Sequence, residues 1–377
     1  MKNSIKEYVK AQKTEMLEML RELCLIPAPS HFEHGRAEYC KQWLEKAGAS
    51  GVYIDDALNV IFPFECEGRN DLTVFAAHTD TVFPDKEPMP YVDDGKRIHS
   101  PGVADDTASV VALLMMARYF VERREESGGG ILFVCNSCEE GLGNLKGTRK
   151  LFEEYGSRIK QFITFDSKLN VIIDRCVGSH RYEVTVTTEG GHSYNSFGSE
   201  NAICEIARII GEIYKTEVPK KENTRTTYNV GVISGGTSVN TVAQNAKMLC
   251  EYRSDDRECL EYMRQRFYRI FEGAKARGVR LKATVVGERP CGNTEEAKLA
   301  ELRRTARSVV ERVIHDKAFF VSGSTDCNIP LSLGVPAICV GVNKHCGIHT
   351  REEWVDKESM LSGLEIAILL GKELSEP

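Results

Sequence analysis

The sequence lacks an excess of positive charge. Lys and Arg total 49 against 55 Asp and Glu, a formal net charge of −6. Proteins that work by neutralising phosphate are basic over a domain or along a stripe, so this balance argues against a nucleic-acid partner. A long apolar run is also missing. The most apolar stretch, Val110 to Ala117, falls far short of the roughly 20 residues that span a bilayer, and no membrane association is expected. The first 22 residues carry a charge every few positions, which leaves no room for the apolar core of a secretory signal. Repeats, low-complexity tracts and long linkers are absent. Cysteine is plentiful by contrast: thirteen, an odd number, from Cys24 to Cys346. That pattern fits free thiols in a reducing compartment better than a disulfide framework, and the expected location is the cytoplasm. The 377-residue length suggests two or three domains.

Apolar spacing near the helical period predicts helices over 4–23 and 31–47. Short strands follow at 52–54, 59–64 and 72–77, then a helix at 106–124, a strand at 130–136, a helix at 144–156 and a strand at 161–165. Strands alternating with helices predict an α/β fold with a mostly parallel sheet. After Gly178 the pattern changes. A half-exposed strand at 181–188, a helix at 199–215, strands at 226–233 and 245–253, a helix at 256–275 and a strand at 279–287 spell βαββαβ, the ferredoxin-like order. Helices at 295–314 and 357–374 and strands at 318–321 and 336–340 resume the first pattern. The expected organisation is a split catalytic domain, 1–178 and 290–377, interrupted by an inserted α+β domain at 179–289.

Several expected strands end in metal-ligand chemistry, where open α/β sheets bind their ligands. His78 and Asp80 follow one strand, Glu139 and Glu140 another, and Asp166 a third. Asp105 precedes a helix, and His349 lies in the loop after 336–343. Alone, each has an ordinary explanation: Asp105 or Asp106 as a helix cap, the glutamate pair as a solvated face. Gathered at one sheet edge, the carboxylates repel unless a cation neutralises them. Two imidazoles and several carboxylates suit a hydrolytic site with two metal ions.

Four motifs carry a family resemblance: Ala77-His-Thr-Asp80, Gly102-Val-Ala-Asp-Asp106, Glu139-Glu140-Gly141 and His349-Thr-Arg-Glu-Glu353. In order and spacing they resemble the two-zinc exopeptidases and amidohydrolases that include peptidase T, glutamate carboxypeptidase, aminoacylase and acetylornithine deacetylase. The resemblance implies a metallopeptidase domain with His78 and Asp166 on one metal, Glu140 and His349 on the other, and Asp105 bridging. It implies that Asp80 orients His78 and that Glu139 is the general base. The ions are expected to be zinc, with cobalt or manganese possible. In the insertion, Gly190-Gly-His192-Ser193 resembles a lid whose histidine, His192, stabilises the oxyanion and often comes from the partner subunit, which implies a homodimer. Asn240 and Arg253 match substrate-contacting positions, and Gly323-Ser-Thr-Asp326 matches a loop lining the site. From the residues alone, Asn240 serves equally as a turn residue and Arg253 as a sheet-surface charge. Thr107, Ala108 and Ser109 depart from the Lys or Asn with Gly that many members carry after the bridging Asp. Val82-Phe83-Pro84 and the aspartate at 166 are most similar to peptidase T-like aminopeptidases.

The expected function is therefore peptidase T-like aminopeptidase activity on short peptides. The alternatives are an N-acyl amino acid amidohydrolase or deacetylase, a carboxypeptidase, or a non-catalytic binding protein on the same fold. A dinucleotide fold is rejected because Glu139 and Glu140 precede Gly141, Gly143 and Gly147 and would repel a pyrophosphate. A one-metal protease helix is rejected because Gly347 separates His345 from His349 and no H-E-x-x-H occurs. Cys135 and Cys138 form a C-x-x-C, read as core cysteines because the motif overlaps a buried strand.

Overall fold

A computed structural model describes residues 4–124, 128, 130–292 and 294–375. The chain divides into two compact units, 1–176 with 293–377, and 177–292.

The first unit is built on an eight-stranded sheet. Its strands are β1 (Tyr53–Ile54), β2 (Val60–Phe64), β3 (Leu72–His78), β4 (Ile131–Asn136), β5 (Ile159–Thr164), β6 (Val171–Cys176), β7 (Phe319–Gly323) and β8 (Ala337–Val340). The order is β1-β2-β4-β3-β5-β8-β6-β7. The four pairings β4–β3, β3–β5, β5–β8 and β6–β7 are parallel; β1–β2, β2–β4 and β8–β6 are antiparallel. The sheet is thus mixed, where the alternation of elements predicts one mostly parallel. Besides the antiparallel edge of β1 and β2, the cause is β6, a strand that the apolar pattern does not announce because Asp174 and Arg175 interrupt it. It follows β5 through residues 165–170, too short a connection for the crossover of a dozen residues that a parallel return needs.

β3 and β4 are buried along their whole length, as strands covered on both faces must be. The helix Ala108–Glu122 covers them and is itself apolar nearly all round. Helix Lys357–Ser375 lies close against it. A Cβ at Gly371 would meet Met116 Cε at 2.4 Å, so the glycine sets that approach. The first expected helix is two, Ile5–Ala11 and Lys13–Cys24, divided at Gln12, whose N–H turns back to Val9. Ser4 and Glu7 close a reciprocal cap on the first. A small second sheet joins 92–93, 97–99, 345–346 and 354–356.

In the second unit the chain runs Gly178–Thr187, helix Ala202–Tyr214, Thr226–Gly235, Asn245–Ser254, helix Arg257–Ala276 and Arg280–Arg289. The four long strands pair antiparallel in the order Thr226–Gly235, Asn245–Ser254, Gly178–Thr187, Arg280–Arg289. Alternate residues of Asn245–Ser254, among them Met248 and Tyr252, pack with Ile206, Ile209, Met263 and Phe267 of the two helices. Asn201 and Asp256 cap those helices through their side-chain oxygens.

Candidate active site

His78 is the last residue of β3 and is fully buried. Its Nε2 lies 3.0 Å from Asp105 Oδ1. The other Asp105 oxygen, Oδ2, lies 3.1 Å from His349 Nε2, and that same nitrogen lies 3.1 Å from Glu140 Oε1. One carboxylate thus divides its two oxygens between two imidazoles. Asp166, two residues past the end of β5, can bring an oxygen within 4.8 Å of donor atoms of both His78 and Asp106. His78, Asp105 and Glu140 form a second such group. His349 is 52% exposed on its side chain while Glu140 is 7% exposed, so the cluster opens to solvent on the His349 side.

Asp80 does more than face its histidine. Its Oδ1 lies 3.3 Å from His78 Nδ1, and its main-chain oxygen lies closer, at 3.0 Å. The carboxylate also accepts the main-chain N–H of Glu139 on Oδ1 and of Glu140 on Oδ2, each at 2.9 Å, and the Ser30 hydroxyl at 2.7 Å. Asp80 therefore holds the backbone from which both glutamates project. Replacing it with alanine is expected to weaken metal affinity by about 10–100-fold, read by competition with a zinc indicator.

The charges show what this pocket needs. Burial pushes the Asp166 carboxyl well above the usual range, and the carboxylates of Asp105 and Asp106 push it further. Asp106 and Glu140 are raised as well, by burial first. Hydrogen bonds to Asp105 and Glu140 push His349 up to about 10. Burial opposes charge on His78, but hydrogen bonds to Asp105 and Asp80 outweigh it and raise the group well above its ordinary value. The surrounding carboxylates thus favour positive charge at this place. Divalent cations fit the same place, since a nitrogen and oxygen donor set is what borderline-hard ions take.

Other residues stand around these. Asp106 accepts the His78 main-chain N–H at 3.1 Å through Oδ2; the Asp-Asp doublet was its only signal. Asp326 is buried, bonded by the side chains of Asn136 and Thr148, and pushed up to about 7 by burial and the Glu139 charge. The bond from Asn136 places Asp326 at the end of β4. Cys135 and Cys138 are buried free thiols; Cys138 Sγ lies 3.3 Å from His31 Nδ1 and 3.2 Å from Glu33 Oε1. His345 lies on the short strand His345–Cys346, so it forms no helical pair with His349.

The remaining candidates belong to the second unit. Gly191–His192 pairs with Thr241–Val242, His192 opposite Thr241, and Ser193 N–H donates to the Asn240 carbonyl at 2.9 Å. His192 and Asn240 are therefore neighbours. Tyr194 N–H donates to His192 Nδ1 at 3.3 Å, which leaves the proton of a neutral ring on Nε2. Asn240 is exposed, and its Oδ1 accepts from the Ser238 hydroxyl. Arg253 is not brought to them. It stands eight residues beyond Asn245 on its strand, about 26 Å at 3.3 Å per residue, with its guanidinium on Glu251.

A sequence profile of Peptidase family M20/M25/M40 matches residues 74–371, which include every one of the proposed metal ligands. The chain belongs to this family. It is an M20 hydrolase, of the metallopeptidase and amidohydrolase kind. The chain is 24% identical over 380 residues to the Bacillus subtilis protein YqjE, covering 96% of this chain and 98% of the relative. It is 26% identical over 216 residues to a Legionella pneumophila succinyl-diaminopimelate desuccinylase, covering 53% and 57%. Its fold is that of aminopeptidase PepT from Bacillus cereus, with a TM-score of 0.73, 22% identity and coverage of 96% and 98%. Among the described residues of this M20 chain, no helix is long and apolar enough to cross a membrane.

Proposed function

We propose that the protein is a dinuclear-metal exopeptidase that removes the amino-terminal residue from short peptides, in the manner of peptidase T. The observation that carries this reading is the division of Asp105's oxygens between His78 and His349. Asp105 is then the bridging ligand, with His78 and Asp166 on one ion and Glu140 and His349 on the other. The ions are read as zinc, with cobalt or manganese able to use the same donors. Bound there, they would polarise the scissile carbonyl and acidify an attacking water. Glu139 takes the proton of that water and passes it to the leaving amine. His192 donates its Nε2–H to the oxyanion, reaching it from the partner subunit of a homodimer formed through the 177–292 unit. Asn240 and Arg253 hold the substrate's backbone or carboxylate.

PepT, the aminopeptidase that shares the fold, supports the peptide reading. The likeness to desuccinylases favours a second one, hydrolysis of an N-acyl amino acid. Zinc-loaded protein should be offered free tripeptides, amino-blocked tripeptides and N-acyl amino acids, with released amine measured. Cleavage of the free tripeptides alone is expected. Turnover confined to N-acyl amino acids overturns the aminopeptidase reading in favour of the amidohydrolase, and turnover of nothing favours a binding protein.

His192→Ala is expected to lower kcat by about 10²–10³-fold, the scale of one lost oxyanion donor, with zinc content unchanged. Metal analysis beside steady-state kinetics checks this, and equal loss of both contradicts the oxyanion role.

A further inference from the structure

Four residues past His349 the chain buries a carboxylate that none of the proposed ligand or acid–base roles uses. Glu353 is fully buried. Its Oε1 accepts the main-chain N–H of Ala104 at 2.8 Å and of Asp105 at 3.0 Å, and its Oε2 accepts that of Gly102 at 2.9 Å. Its own carbonyl accepts the Ser100 N–H at 3.1 Å. Every one of these bonds lands on the segment 100–105, which carries Asp105.

The segment's other main-chain bonds are local: Val103 N–H donates to the Ser100 carbonyl at 3.1 Å, and Thr107 donates to the Gly102 carbonyl through its N–H and its hydroxyl. Gly102 adopts φ +73°, and a Cβ there would meet Thr81 Cγ2 at 2.5 Å. Asp105 has φ −117° and ψ 87°, outside helical values. Buried N–H groups in such irregular backbone must find acceptors outside a ladder or helix. Here one carboxylate supplies three of them, and a carboxylate accepting several N–H groups is the stronger kind of hydrogen-bond acceptor. The 349–353 and 100–105 segments consequently meet twice. His349 Nε2 faces the Asp105 carboxylate, and Glu353 grips the Asp105 main chain.

We propose that Glu353 is a positioning residue for the metal centre. It fixes the Asp105 backbone so that the carboxylate can serve both ions, and it ties the loop of one terminal ligand to that of the bridging ligand. The proposal rests on the dinuclear reading of the site given above.

Glu353→Gln tests it, because glutamine keeps the shape but turns an NH₂ group toward N–H donors. Two readouts are needed. In metal-free protein, hydrogen exchange of peptides covering 100–107 is expected to quicken at least tenfold, with those covering 72–78 and 131–136 unchanged. In a zinc titration, affinity is expected to fall by about 10–100-fold, the scale seen when a group that orients a ligand is removed. Glu353→Asp keeps both acceptor oxygens and is expected to fall between wild type and Gln; it takes the place of Glu353→Gln if that variant does not fold. Unchanged exchange at 100–107 overturns the clamp. Quickened exchange with zinc affinity within twofold of wild type reduces Glu353 to a structural group and overturns the positioning role. Wild-type protein that binds fewer than two zinc ions overturns the dinuclear reading itself, a result distinct from either.

Discussion

Replacing Glu139 with alanine or glutamine is expected to lower kcat by about 10²–10⁴-fold while zinc content stays at the wild-type value. The argument starts at the backbone. Asp80 accepts the N–H groups of Glu139 and Glu140 on its two oxygens, which fixes two adjacent residues whose side chains serve different ends. Glu140 reaches His349. The Glu139 charge helps raise the carboxyls of Asp166, Asp326 and Glu140, as a carboxylate within the same cluster does. Both glutamates are buried, and Glu140 Oε1 lies 3.1 Å from the His349 imidazole. A base that moves a proton and binds no ion must fail in turnover alone. Zinc lost in proportion to kcat would make Glu139 a ligand, and kcat within a few-fold of wild type would remove it from the reaction.

Asp105→Ala should abolish detectable turnover and empty both metal positions. Asp105 is in hydrogen-bond contact with both His78 and His349, one oxygen to each. Without it, each ion loses a ligand, and the buried Asp166 and Glu140 keep too few donors in common to hold the pair. His349→Ala should behave differently, keeping the ion that His78 and Asp166 share. Metal content after gel filtration separates the two variants. An Asp105→Ala protein that retains two ions per chain contradicts the bridging role.

The strand-end logic was legible because it depends on side-chain type and position. Buried strands such as Leu72–His78 are continuous apolar runs, and the polar residues that follow them stand out. Three kinds of information were hidden. Strand direction was hidden at β6, where Asp174 and Arg175 break the run and a short connection reverses the chain. The small sheet was hidden because strands of two or three residues carry no period. The work of Asp80, Asp106 and Glu353 was hidden because each accepts main-chain N–H groups, and a backbone donor leaves no mark on residue type.

The central claim is that Asp105 joins two metal ions, and anomalous X-ray scattering at the zinc edge tests it most directly on crystals of zinc-loaded protein. The account predicts two peaks roughly 3.5–4 Å apart, one beside His78 and Asp166 and one beside Glu140 and His349, with an Asp105 oxygen on each. A single peak, or two peaks that Asp105 does not touch, would contradict it.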